Sequence, residues 1–125
     1  MIKWSCFLPS LEKRKVYMFI AMNRFQIVLG KEHEFEEVWR NRDTHLEDVD
    51  GFREFHLVKA HQEDDHTLYA SHSIWDSRQA FENWTKSEAF RTAHKHAGSN
   101  SHLYLGHPKF EGFEMVKHVS TKKKV

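Results

Sequence analysis

The segment Met18–Leu29 (MFIAMNRFQIVL) restricts the fold more than any other part of the chain. Apolar residues recur at every second position in it, the signature of a strand whose side chains alternate between two faces. One face then carries Phe19, Ala21, Asn23, Phe25, Ile27 and Leu29. Asn23 is the lone amide in that stripe. A buried primary amide without partners costs of order 1–3 kcal/mol, so either another protein group or a ligand must meet it. Taken alone, the stripe favours a partnered core amide. The opposite face presents Ile20, Met22 and Val28 beside Arg24 and Gln26.

Gly30 ends this strand, and Phe35, Val38, Trp39 and Leu46 give the next segment an apolar stripe at helical spacing, predicting a helix over Glu32–Leu46. Asp50-Gly51 is a turn signal before a second strand, Phe52–Glu63. Asp64-Asp65 closes a hairpin into a third, His66–Trp75, with Leu68, Ala70, His72 and Ile74 on one face. Asp76-Ser77-Arg78-Gln79 resembles a capping box opening a second helix, which carries Ala80, Phe81 and Trp84. Ser87-Glu88 reads as a fresh helix start and Gly98 as its end. A last strand within Leu103–His118 completes the order βαββαβ. That order predicts an α+β, ferredoxin-like fold: one antiparallel sheet with helices on one face. The mixed opposite face suits sheet-against-sheet pairing better than exposure, predicting a homodimer of the dimeric α/β barrel kind.

The 125 residues suit one domain. The expected division is a ferredoxin-like domain over 18–119, a basic tail over 120–125 and an extension over 1–17, either disordered or upstream of a natural start at Met18. A formal net charge of +1 provides no strong field for nucleic acid or membrane, and no apolar run is long enough to span a bilayer. The single cysteine, Cys6, suits a reducing cytosol, and a cytoplasmic location is expected. Eleven histidines raise interest in metals, but His56, His61, His66 and His72 follow no zinc spacing and read as surface or sheet-face residues.

Two further residues change the weight of Asn23. On a helix, Phe90, Ala93, His94 and Ala97 share one face, so His94 points inward while His96 falls toward solvent. A straight helix would separate Trp84 from His94 by about 15 Å. The cap signal at Ser87 predicts a break between them, folding His94 back toward the sheet. Each residue has a plainer reading, as a core indole or a satisfied core imidazole. Together with Asn23 they could enclose a flat apolar pocket holding one imidazole and one amide.

The block AMNRFQIVLGKEHEFEEVWRNR, then DGF, then IWDSRQAFENWTKSEAFRTAHKH, resembles the IsdG-type haem-degrading monooxygenases of the antibiotic biosynthesis monooxygenase superfamily. The likeness runs from about Met18 to Gly98 and includes the ten-residue interval from tryptophan to histidine. It implies that Asn23, Trp84 and His94 form the catalytic set and that haem is both cofactor and substrate. His94 would be the axial ligand of the haem iron through a neutral imidazole nitrogen, leaving the opposite side for dioxygen. Asn23 would donate a hydrogen bond there, and Trp84 would press the porphyrin out of plane, with Phe81 and Phe90 completing the haem pocket. The propionates need cationic partners: Arg40, Arg42 and His45 are candidates, Arg42 the best placed by alignment, although a solvated helix C-terminus also favours positive charge. No flavin or nicotinamide fingerprint occurs in the chain, so electrons are expected from an external donor, an electron-donating reductase. Two rival readings share the pocket: a cofactor-free monooxygenase of the same superfamily, and a haem-binding carrier without chemistry.

Overall fold

The computed structural model describes residues 16–94 and 97–122, the side chain of residue 97 excepted. The readings of Cys6, of the 1–15 part of the extension, of His96 and of the last three residues lie outside the described residues. In order come β1 (Phe19–Val28), α1 (Glu32–Asn41), β2 (Phe52–Gln62), β3 (His66–Trp75), α2 (Arg78–Thr85), α3 (Glu88–His94), a 3-10 stretch (Ala97–Leu103) and β4 (Lys109–Glu114). The strands form one sheet ordered β2-β3-β1-β4, with every neighbouring pair antiparallel. This is the ferredoxin-like arrangement expected, with the second helix in two pieces.

β1 is central and pairs on both sides; Asn23 stands opposite Ser71 of β3 and opposite Phe110 of β4. Its helix-covered face buries Phe19, Ala21, Phe25 and Ile27. These belong to two separate apolar clusters. Phe25 and Ile27 pack with Phe35, Tyr69 and Leu103, whereas Phe19 and Ala21 pack with Leu46 and Trp75. The core therefore divides along β1 at Asn23. Leu29 does not extend the stripe: the strand ends at Val28, Gly30 turns the chain with φ 89°, and Leu29 is exposed.

α1 stops at Asn41, five residues short of the expected Leu46. The local chemistry explains this. Arg42 is extended, the Asp43 carboxylate accepts from the His45 backbone N–H at 2.9 Å, and His45 has φ 56°. Such a side-chain turn competes with the helical bond that the same N–H would make. Leu46 still reaches the core, from a loop. At the β2–β3 hairpin the Glu63 N–H donates to the His66 carbonyl at 2.7 Å, closing the Asp64-Asp65 turn one residue past β2.

The capping box expected from Asp76 to Gln79 does not form; Ser77, one residue on, caps α2. Ser77 accepts from the Ala80 N–H at 3.1 Å, whereas Gln79 donates to Asn83 at 2.9 Å and Asp76 pairs with Arg53. The break between α2 and α3 is as expected, and one hydroxyl serves both ends of it. Ser87 Oγ donates to the Trp84 carbonyl at 2.6 Å and accepts from the Phe90 N–H at 3.1 Å. It thus satisfies a terminal carbonyl of one helix and an orphan N–H of the next. Replacing Ser87 by Ala is expected to cost about 1 kcal/mol, the usual worth of such a cap, as measured by urea denaturation.

Tyr69 illustrates how the helices are tied to the sheet. Its ring is buried in the first cluster, and its hydroxyl donates to Glu36 of α1 at 2.5 Å. Burial and this carboxylate push the Tyr69 phenol well above its ordinary range, and the same hydrogen bond holds Glu36 below the usual carboxylate range. A depressed carboxylate contributes stability above the unfolded-state value, lost as pH falls through the folded one. Tyr69→Phe should therefore reduce stability at neutral pH by roughly 1–2 kcal/mol. It should also move the acid-unfolding midpoint upward, as read by circular dichroism along a pH titration.

Candidate functional site

Where the two clusters part, a cavity of about 380 Å³ opens between the sheet and the helices. Asn23 and Ser71 line it from the sheet, Phe81 and Trp84 from α2, and Phe90 and His94 from α3. The helix break brings the last two helices into one site. Trp84 and His94 lie with ring centroids 6.0 Å apart, and Trp84 meets Phe90 edge-on at 4.8 Å. A continuous helix would have held the first pair at more than twice that distance, about 15 Å.

His94 has a defined tautomer. Its Nδ1 lies 2.8 Å from the Phe90 carbonyl oxygen, one helical turn back. A carbonyl can only accept, so Nδ1 carries a proton, and in the neutral ring the lone pair then lies on Nε2. The imidazole also stacks on Phe90 at 4.1 Å and 24°, which fixes the plane of the ring. A held imidazole with a free Nε2 is the form that ligates a metal. Trp84 lies against Trp75 at 5.2 Å, and its indole N–H is buried without an acceptor among the described residues.

Asn23 is not a partnered core amide. Its side chain is half-buried, faces the cavity and makes no hydrogen bond to any described residue. Its need for a partner is therefore left to whatever enters.

Arg42 separates from the other two cationic candidates. Arg40 is taken by Glu36 at 3.0 Å and Glu37 at 2.9 Å, and His45 lies 3.6 Å from Asp43. Arg42 instead lines the cavity, its guanidinium 4.3 Å above the Trp39 ring. Among the described arginines it alone has no carboxylate partner. A cation held by an aromatic face and otherwise unpaired can accept an anion entering at the cavity edge.

Several lining residues are not singled out by the sequence, among them Trp39, Tyr104 and Ser71. Trp39 reads there only as part of the α1 stripe; it walls the cavity beside Arg42. Tyr104 reaches the site through the loop after the 3-10 stretch, bridging to Ile27, and burial raises its phenol against the opposing effect of Arg42. No local pattern marks it. Ser71 carries a usable signal, as a small polar residue on the covered face of β3 between the buried Tyr69 and Trp75. The hairpin histidines stay apart from the cavity: His56 and His72 stand opposite each other on the other sheet face, and His61 and His66 pair with Glu63 and Asp65. Among the described residues no group of three or more histidine, cysteine or acidic side chains is placed to hold a metal ion. No described helix is long and apolar enough to cross a membrane.

Comparisons with known proteins agree with this architecture. The curated heme oxygenase (staphylobilin-producing) 1 of Staphylococcus aureus (strain Newman) is 30% identical over 83 residues, covering 66% of this chain and 77% of that protein. The solved structure of the heme-degrader MhuD from Mycobacterium tuberculosis, with two hemes bound in its active site, superposes with a TM-score of 0.65 at 24% identity, over 82% of this chain and 99% of that one. SnoaB from Streptomyces nogalater, a cofactor-independent oxygenase, shares the fold at a TM-score of 0.60 and 21% identity, covering 83% and 98% of the two chains. The family model for antibiotic biosynthesis monooxygenase matches residues 18–96. On that match, which spans three of the four strands and both helices of the cavity, the chain belongs to the antibiotic biosynthesis monooxygenase family.

Proposed function

We propose that this monooxygenase degrades haem: it binds haem through His94 and, with dioxygen and an external electron donor, opens the porphyrin at a meso carbon to release iron and a bilin-type product. The observation that carries this reading is the pairing, in one cavity, of an imidazole Nε2 and an amide that make no hydrogen bond to any described residue. The heme oxygenase activity named for the Staphylococcus aureus relative supports it.

The residues fit the group. Haem is a flat apolar ring with a metal at its centre and two carboxylates at one edge. The cavity offers His94 for the metal, the rings of Phe81, Trp84 and Phe90 for the faces, and the unpaired Arg42 for a propionate. Bound haem would supply the redox-active iron and the carbon that is oxidised.

The chain's own groups do the rest. The Phe90 carbonyl holds the His94 proton on Nδ1 and presents Nε2. Asn23 offers its NH₂ as a directed donor within an apolar wall, where a hydrogen bond is stronger than in water. Trp84 is clamped between Trp75 and Phe90, so its ring can press on a bound macrocycle without yielding. The same cavity without an axial ligand would suit a cofactor-free oxygenase, and without Asn23 a carrier.

The open sheet face supports a homodimer. Val58 and Phe113 there are 47% and 46% exposed, beside half-buried Ile20, Met22 and Ile74. Exposed apolar side chains gathered on one sheet face mark an interaction site. Phe113→Glu is expected to convert the dimer to a monomer in light scattering coupled to size exclusion.

Hemin added to the purified protein should give a saturable Soret band that decays to a bilin-like spectrum once a reductant is supplied. His94→Ala should lose the axial-ligand spectrum. Asn23→Ala should keep hemin affinity within about twofold, the scale of one weak hydrogen bond, and lose turnover. Full turnover by Asn23→Ala would remove its assigned role. Equal hemin spectra for wild type and His94→Ala would favour the cofactor-free reading. Arg42→Ala should weaken hemin binding roughly three- to tenfold, the net worth of a typical hydrogen bond, in the same titration.

A further inference from the structure

An asparagine side chain has two ends of nearly equal shape and opposite chemistry, one donating and one accepting. For Asn23 to offer its NH₂ to a ligand, some group must hold its Oδ1. Among the sheet's own side chains the choice narrows to one. Ser71 stands directly opposite Asn23 in the β1–β3 ladder, and both line the cavity. Directly opposed strand residues have Cβ atoms about 4.5–5.5 Å apart, close enough for a hydroxyl to reach the amide.

The other polar neighbours on this face are committed. Ser73 accepts from the Trp75 indole N–H at 2.9 Å and lies 3.5 Å from the Ala21 carbonyl. Thr67 donates to Glu32 at 2.7 Å, and the Tyr69 hydroxyl donates to Glu36 at 2.5 Å. On the other flank of Asn23 the opposed residue is Phe110, whose side chain offers no polar atom. The Ser71 hydroxyl, like the Asn23 amide, makes no hydrogen bond to any described residue.

We propose that Ser71 is a positioning residue: its hydroxyl donates to Asn23 Oδ1 when a ligand draws the NH₂ into the cavity, and so fixes which end of the amide the ligand meets. The inference rests on the haem-binding reading and adds to it the group that sets the polarity of Asn23. The acceptor capacity of the hydroxyl stays available for water or for the ligand itself.

The test is azide binding to the ferric, hemin-loaded protein, followed by the Soret shift, so that turnover is not needed. Threonine and valine have the same shape and both suit a strand, so Ser71→Thr and Ser71→Val differ only in the hydroxyl. Ser71→Thr should bind azide as wild type does. Ser71→Val should bind it about three- to tenfold more weakly, the effect of losing one directed hydrogen bond, with hemin affinity unchanged. In an Asn23→Ala background the Thr and Val variants should not differ, because the hydroxyl acts through the amide. Equal azide affinity for the Thr and Val variants, or the same difference in both backgrounds, would overturn the role while leaving haem binding intact. Failure of the wild type to bind hemin at all would overturn both readings.

Discussion

The arrangement turns on a single polar interruption in a central strand. β1 is hydrogen-bonded on both edges, so its register is fixed and Asn23 can leave the covered face only if the whole strand slips. A slip by one residue would bury Arg24 and Gln26 and expose Phe25 and Ile27. The amide is thus held where an apolar side chain would have joined the two clusters. Between them lies a cavity. The desolvation that Asn23 suffers is tolerable because the cavity keeps it half-exposed.

The helix break has the complementary role on the opposite wall. Ser87 ends α2 and starts α3 with one hydroxyl, and beyond the break Phe90 and His94 pack against Trp84. Aromatic contacts then continue from His94 through Phe90, Trp84 and Trp75 into the second cluster. The imidazole is therefore braced by the core as well as by its own helix. This is the preorganisation that a binding site on short helices needs, since seven or eight residues in isolation form no stable helix.

Electrostatics select among surface cations that look alike in sequence. Glu36 is drawn to Tyr69, Lys59 and Arg40, and this cluster removes Arg40 from the site. The early end of α1 releases Arg42 onto the face of Trp39. Exposed ion pairs contribute little to stability. Their effect here is on availability: they leave one guanidinium beside the cavity without a carboxylate.

Much of this was legible in the chain alone. Period-two and helical patterns determined the strands, the helices and their order, because burial of one face imposes its period on the residues. Asn23 stood out as an amide in an apolar stripe, and Ser87 as a helix start, since both signals are local. The end of α1 was not legible: an Asp43 side-chain turn outcompetes a helical pattern that Leu46 continues in the sequence. Nor was Tyr104, which a loop delivers from far along the chain, nor the ion pairs that occupy Arg40 while Arg42, already preferred by resemblance, lies on Trp39. The opposition of Ser71 and Asn23 is a matter of register between two strands far apart in the chain. Sequence sets the pattern on each element; only packing decides which side chains are used up by neighbours and which remain free to meet a ligand.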